Sequence, residues 1–416
     1  MRSFFLALGL LFGSMGGLLA QDYPYAIDQY PFVQYDLNHL QFPGDQSRYQ
    51  GLFEKMDRVL FQGEGQINVI HMGGSHIQAD MWSDRMRQRL QTFYPGNRGS
   101  RGLLFPFRMA KTNNPYNYKA EFTGNWAGCR CVQSKRQCDL GLTGINVTTT
   151  DTLSTIHLYF RGEDYPQYAF NQVRVFHDLG DDSYAINILS PRMGYLEQEM
   201  PQQGCTSFRL DGHLTELTLE IRKTDPRQNH FTLHGIALES DDPGFIYHAI
   251  GVNGAATTSY KRCNLMEQHL KAIVPDLVIF SIGINDANGP NFDAARYQRN
   301  YDELVRRVYA ANPDAAILFT TNNDSYYKRK YPNRNAEKVR TAMLALAERH
   351  GGAVWDMYGV MGGLGSIKTW VKAGLANPDK IHLLKPGYVL VADLMFNALM
   401  EAYDDHLRSK SKAENR

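Results

Sequence analysis

Charge of one sign is missing from this chain. Its 416 residues include 44 lysines and arginines against 43 aspartates and glutamates, a formal net charge of +1. That balance gives no general electrostatic reason to bind nucleic acid or an anionic membrane surface. The local exception is the end of the chain, 406–416, where Arg408, Lys410, Lys412 and Arg416 read as a basic, solvated, frayed tail. Long apolar runs are missing after residue 20, so no membrane span is expected in the mature chain. Cysteine is sparse. Cys129, Cys131, Cys138, Cys205 and Cys263 cannot all pair within one chain. The first three lack the paired C-x-x-C spacing of a zinc site. One local disulfide among them is expected, and no metal. The glycine run at Gly362, Gly363 and Gly365 lacks the strand context of a dinucleotide fingerprint, and no organic cofactor is expected.

What is present describes an ordinary globular protein, with 43% hydrophobic and 21% charged residues. Residues 1–20 stand apart. Arg2 precedes an apolar run from Phe4 to Leu19, closed by Ala20. This is the pattern of a cleaved signal peptide and a periplasmic or secreted protein; an uncleaved anchor is the alternative. Residues 21–46, rich in Tyr, Pro, Asp and Gln, read as an extended surface arm.

Two kinds of periodicity follow. From residue 47 to 98, helical spacing (Leu52, Met56, Leu60) leads into a short buried strand ending at Met72, then helical spacing again through Ile77, Met81, Trp82, Met86 and Leu90. Ser75 therefore sits where a strand turns into a helix. From 99 to 240 the period is two: Leu217, Leu219 and Ile221 alternate with Thr218 and Glu220, and Val173 and Val175 flank Arg174. Such runs, separated by turn clusters, predict an antiparallel β-sandwich. From 241 to 405 strands and helices alternate, which predicts a parallel sheet covered on both faces. The β-rich block reads as an insertion into one α/β domain.

Ligands of open parallel sheets collect beyond the carboxyl ends of the strands. Four segments bring unusual polar residues to that edge: Gly73-Gly74-Ser75-His76, Gly251-Val252-Asn253-Gly254, Gly283-Ile284-Asn285-Asp286, and Asp379-Lys380-Ile381-His382 before the last helix. The types suit acyl transfer. A serine hydroxyl needs a base to take its proton, histidine is that base near neutral pH, and a carboxylate fixes the imidazole tautomer. In D-x-x-H the two meet through one turn of chain. The N–H groups of Ser75 and Gly254 and the side-chain amide of Asn285 are candidate oxyanion donors.

These four blocks, in this order, resemble the SGNH (GDSL-like) hydrolase superfamily. The resemblance rests on Ser75, Gly254, Asn285 and His382, with Asp379 three residues before the histidine. It implies a flavodoxin-like three-layer α/β fold and Ser75, Asp379 and His382 as catalytic residues. The motif GGSHIQAD with a long insertion looks most like bacterial envelope esterases that remove O-acetyl groups from peptidoglycan or other polysaccharides, whose inserted β-sandwich resembles a carbohydrate-binding module. The expected partner is an O-acylated glycan. An O-acetyltransferase and a decayed glycan-binding protein are the alternatives. One position departs from the family pattern: Gly74 stands where Gly-Asp-Ser has its aspartate, and Asp80 or Asp286 are candidates to replace it.

Blander roles compete at several positions. Ser75 alone would read as a helix cap. His76, Asn253, Asp286 and Asn323 are candidate substrate contacts, each with a structural alternative. His71 and His248 lie in apolar strands and read as satisfied core histidines. Trp126, Tyr116 and Tyr118 suit either sugar stacking or a core.

Overall fold

The computed structural model describes residues 28–161, 168–180, 182–189 and 193–414. The leader assigned to residues 1–20 lies outside them.

One sheet sets up the site. Its strands run in the order Leu40–Gln41, Ala353–Trp355, Ala316–Thr320, Leu277–Ser281, Gln66–Gly73 and Gly244–Gly251. All neighbours are parallel except the first pair, where Leu40 faces Trp355 in antiparallel register. Alternation along each strand feeds two cores. Val278 and Phe280 pack on one side with Leu304, Val308 and Met343 of the helices Ala294–Ala311 and Asn335–His350. Leu277 and Ile279 pack on the other with Met86, Leu90, Leu394 and Leu399 of Met81–Thr92 and Lys385–Glu414. The result is three layers, as the flavodoxin-like expectation from the sequence requires.

Register decides where the chemistry falls. Gly73 is paired with Gly251 on one side and with Ser281 on the other. Three strands thus stop level, and three of the four polar segments leave the sheet side by side.

The chain between Gly102 and Glu239 builds two antiparallel sheets. One runs Tyr195–Met200, Cys205–Leu214, Phe170–His177, Phe231–Glu239, Ile145–Thr149, Ala127–Arg130, with Gly102–Leu104 also paired to Phe231–Glu239. The other runs Tyr118–Phe122, Leu153–Phe160, Glu216–Arg222, Ala185–Ile188. Leu217, Leu219 and Ile221 are fully buried in the same core as Val173 and Val175 of the first sheet. The entry and exit of this block touch: Phe245 N–H donates to Arg98 O (3.1 Å), and Leu103 N–H donates to His248 Nδ1 (2.9 Å).

Three expectations need correction. The helical run after Ser75 is two helices, Ser75–Gln78 and Met81–Thr92, broken at Asp80, which has φ +54. The cause is the Asp80 carboxylate, which turns inward to Arg87, Arg101, Ser83 and Asn117. The basic tail is not frayed as far as Glu414, where the last helix ends; Arg416 lies outside the described residues. Tyr403 Oη and Lys410 Nζ both reach Asp57, at 2.7 and 2.9 Å. The arm is more than a surface strap: Val33 and Leu40 are buried, and Asn38 Oδ1 accepts from Trp355 Nε1 (3.0 Å). Cys129 and Cys138 form a disulfide, while Cys131, Cys205 and Cys263 are free and buried. Among the described residues no helix is long and apolar enough to cross a membrane.

Candidate active site

Asp379 and His382 belong to a tight loop whose backbone does much of the positioning. Asp379 Oδ1 accepts from the N–H groups of Ile381 (2.9 Å) and His382 (3.0 Å). The other oxygen, Oδ2, lies 2.8 Å from His382 Nδ1. The loop is held by Asn377 N–H on His382 O (2.8 Å) and Asn323 Nδ2 on Ile381 O (2.9 Å). Burial alone would raise the Asp379 carboxyl; the His382 ring N–H and the two backbone N–H groups outweigh it and hold it below the usual carboxylate range. It is therefore ionised at neutral pH.

The remaining ring nitrogen, His382 Nε2, lies 2.8 Å from Ser75 Oγ. Residues 307 apart in sequence meet there. The His382 side chain is 39% exposed, so the relay opens to solvent rather than being sealed in the core. Ser75 opens a four-residue helix directly after the strand end at Gly73.

The other segments close around it. Val252 O accepts from Ala255 N–H (2.9 Å), a turn in which Gly254 has φ +80 and faces open space. Only glycine adopts that backbone without cost. Asn285 Nδ2 donates to Ala255 O (2.9 Å), leaving its second N–H available. A Cβ on Gly74 would lie 3.3 Å from that same Nδ2. Ser75, the 252–255 turn and the Asn285 amide therefore share one small space. Neither proposed replacement for the absent carboxylate fills it. Asp80 is committed to its buried arginines, and both Asp286 oxygens accept from Thr257 N–H, at 3.2 and 3.0 Å.

The candidate substrate contacts divide. Asn253 is half-buried and its N–H donates to Gln78 Oε1 (2.6 Å). His76 is buried; its Nδ1 shares a 2.8 Å hydrogen bond with Tyr388 Oη, and its ring centroid lies 5.2 Å from that of His382. Burial pushes the His76 imidazole down to about 3, so it is neutral. Its ring lies against that of His382, with Nε2 buried and without a hydrogen-bond partner among the described residues. Asn323 is buried, and its Nδ2 ties the His382 loop to the segment after the strand Ala316–Thr320. Asp286, raised by burial, organises Thr257. Trp126 packs on Phe231 and Tyr118 is buried with its hydroxyl on Phe105 O, so neither is available for stacking on a sugar. His71 has both nitrogens occupied, by Tyr247 Oη (2.8 Å) and Ser281 Oγ (2.7 Å). His248 lies between Leu103 N–H and Asn68 Oδ1.

Sequence reasoning missed Gln78, which bridges the Ser75 helix to the 252–255 turn and to Asn113 O (2.7 Å). Its place inside GGSHIQAD was the available signal. It also missed Tyr388, whose link to His76 spans 312 residues and has no local signature. Among the described residues no cluster of His, Cys, Asp and Glu could hold a metal ion.

A strand-end serine joined through histidine to aspartate, on the rim of a three-layer parallel sheet, defines the SGNH class of hydrolase folds. Comparison with known proteins agrees. Residues 225–390 match the model of the GDSL-like Lipase/Acylhydrolase family, a span that holds Gly254, Asn285, Asp379 and His382 but not Ser75. A solved peptidoglycan O-acetylesterase is similar over 88% of this chain and 99% of its own, at 22% identity and TM-score 0.70. That likeness carries the fold, including the β-rich block. The structure of an acetyl xylan esterase is similar over 37% of this chain and 81% of its own, at 19% identity and TM-score 0.31. No curated protein matches the chain. The chain thus has the SGNH-hydrolase fold and resembles O-acetylesterases, and the family match supports an esterase or acylhydrolase activity.

Proposed function

We propose that the chain is an exported serine O-acetylesterase acting on an acylated polysaccharide such as peptidoglycan. The observation that carries the reading is the continuous relay from Asp379 through His382 to Ser75, with 2.8 Å at each link, beside a free Asn285 N–H.

In this reading Ser75 O–H gives its proton to His382 Nε2 as Oγ adds to the ester carbonyl. Asp379 holds Nδ1–H, fixing the tautomer and stabilising the imidazolium. Ser75 N–H, Gly254 N–H and Asn285 Nδ2 hold the oxyanion. Collapse breaks the bond to the sugar oxygen, which takes the proton back from Nε2. Water, deprotonated by the same nitrogen, then attacks the acyl-Ser75 ester and releases acetate and free serine. His76, neutral and hydrogen-bonded to Tyr388, keeps a second positive charge away from the imidazolium. In this reading the two antiparallel sheets are an inserted sandwich; their core is continuous with one face of the parallel sheet, which suits a rigid wall beside the cleft.

Acetate release from O-acetylated peptidoglycan tests the reading. The Ser75→Ala protein is expected to fold normally and lose activity by about 10⁴-fold or more. Release at the wild-type rate would remove Ser75 from the mechanism.

A further inference from the structure

A hairpin that plays no part in the relay stands on the rim of the cleft. Its strands are Tyr326–Tyr327 and Tyr331–Pro332. On one side Tyr326 N–H donates to Lys380 O (3.0 Å), in the loop between Asp379 and His382. On the other, the Tyr327 ring comes within 4.0 Å of where a Cβ on Gly289 would lie, in the segment that follows Asn285. Asn335, just past the hairpin, donates to Ala287 O (3.1 Å) and Gly289 O (2.6 Å) of that segment. The hairpin therefore bridges two of the loops that build the site.

Its tip is Lys328-Arg329-Lys330, all exposed. Lys328 and Arg329 have φ +51 and +59, and Lys330 N–H closes the turn on Tyr327 O (3.1 Å). Hairpin turns with two left-handed central residues favour Asn-Gly, and long side chains rarely adopt that backbone. Placing two cations there runs against local preference, and conformational outliers of this kind cluster at functional sites. Other cations extend the surface. Lys380 and Lys368 lie 4.9 and 5.5 Å from the Tyr326 ring centroid, and Lys385, three residues after His382, lies 4.8 Å from that of Tyr116. No Asp or Glu occurs from Ser325 to Asn335. The adjacent Asp324 is buried and accepts from Gly365 and Ile367 N–H (3.0 Å each). A chain of net charge +1 thus gathers exposed positive charge on a hairpin hydrogen-bonded to the loop that carries His382.

We propose that this hairpin binds anionic groups of the substrate polymer, carboxylates close to the esterified unit, so that the enzyme selects acidic over neutral acylated glycans. The proposal rests on the esterase reading of the cleft. Clefts lined by one sign of charge raise the local concentration of counter-charged substrate and lose that advantage in salt. Small neutral esters do not reach the hairpin and gain nothing from it.

The test uses the mature protein and O-acetylated peptidoglycan, either untreated or with its free carboxylates converted to amides. Stripping attached phosphate polymers from both preparations separates carboxylate from phosphate as the anion recognised. Wild type is expected to show a KM about tenfold lower on the untreated material, with the difference shrinking as salt is added. The variant Lys328→Gly/Arg329→Gly/Lys330→Gln places glycine where glycine is preferred, so its thermal stability is expected to be maintained. It should lose the preference while hydrolysing p-nitrophenyl acetate as wild type does; Lys330→Arg should keep the preference. Equal KM on the two preparations, or a variant that loses aryl-ester activity in proportion, would overturn the proposal. Should wild type release no acetate, the esterase reading fails instead. Cosedimentation with the two preparations then tests the hairpin separately, and binding indifferent to amidation would refute it.

Discussion

His382 and His177 have both ring nitrogens occupied, yet the two regions that hold them put imidazole to different uses. On the rim of the parallel sheet, His382 lies between a carboxylate and a serine hydroxyl with 39% of its side chain exposed. In the antiparallel block, His177 lies between Asp178 O (2.9 Å) and Thr206 Oγ1 (2.8 Å), its ring stacked on Phe231. Burial pushes His177 down to about 4, so it stays neutral and acts as a polar brick. Residue type does not separate them. What separates them is where the hydrogen-bond chain ends: at an open hydroxyl beside unused N–H donors, or inside a packed wall.

Substitutions should reproduce that division. At the rim, Asn285→Ala removes one oxyanion donor and should lower kcat about a hundredfold or more, with little change in unfolding temperature. A fall of only a few-fold in steady-state kinetics would take Asn285 out of the site. In the antiparallel block, Leu219→Ala leaves a cavity in a fully buried position and should cost about 2 to 5 kcal/mol of stability by denaturant titration. Its kcat, measured where the protein remains folded, should stay near wild type. A large loss of kcat in that folded variant would mean the two regions are not separable.

Acid should affect the buried histidines as a class. His71 and His76 are held down to about 3, and His177 and His234 to about 4, all chiefly by burial. In the unfolded chain each takes a proton below its ordinary value of 6.5. Between that value and the folded one the unfolded state binds more protons, so stability must fall as pH falls. The slope approaches about 1.4 kcal/mol per pH unit for each histidine fully in this window. Denaturant midpoints measured from pH 7 to pH 4 should decline steadily; a flat profile would mean these imidazoles are protonated in place. This is the smallest effect near neutrality and it grows on acidification.

The same contrast explains what the sequence revealed. The four polar segments were legible because each ends a buried strand or precedes the last helix, and strand ends are where parallel sheets place their ligands. The alternation at Leu217, Leu219 and Ile221 was legible because a half-buried strand has period two. What stayed hidden depends on distant partners. Asp80 breaks its helix because Arg101 lies 21 residues away, and the tail is helical because Lys410 finds Asp57 353 residues earlier. The sequence places Asn323 after a strand; that its Nδ2 binds Ile381 O, 58 residues on, it does not tell. Periodicity reports which face a residue takes, and only tertiary contact reports which polar atoms remain free.

Covalent labelling with a fluorophosphonate probe, read by peptide mass spectrometry, tests the central claim most directly, since it asks whether Ser75 is an activated nucleophile whatever the natural ester. The account predicts a single adduct on Ser75, lost in His382→Ala and strongly slowed in Asp379→Asn. An unlabelled Ser75 in folded protein, or labelling at an undiminished rate without His382, would contradict it.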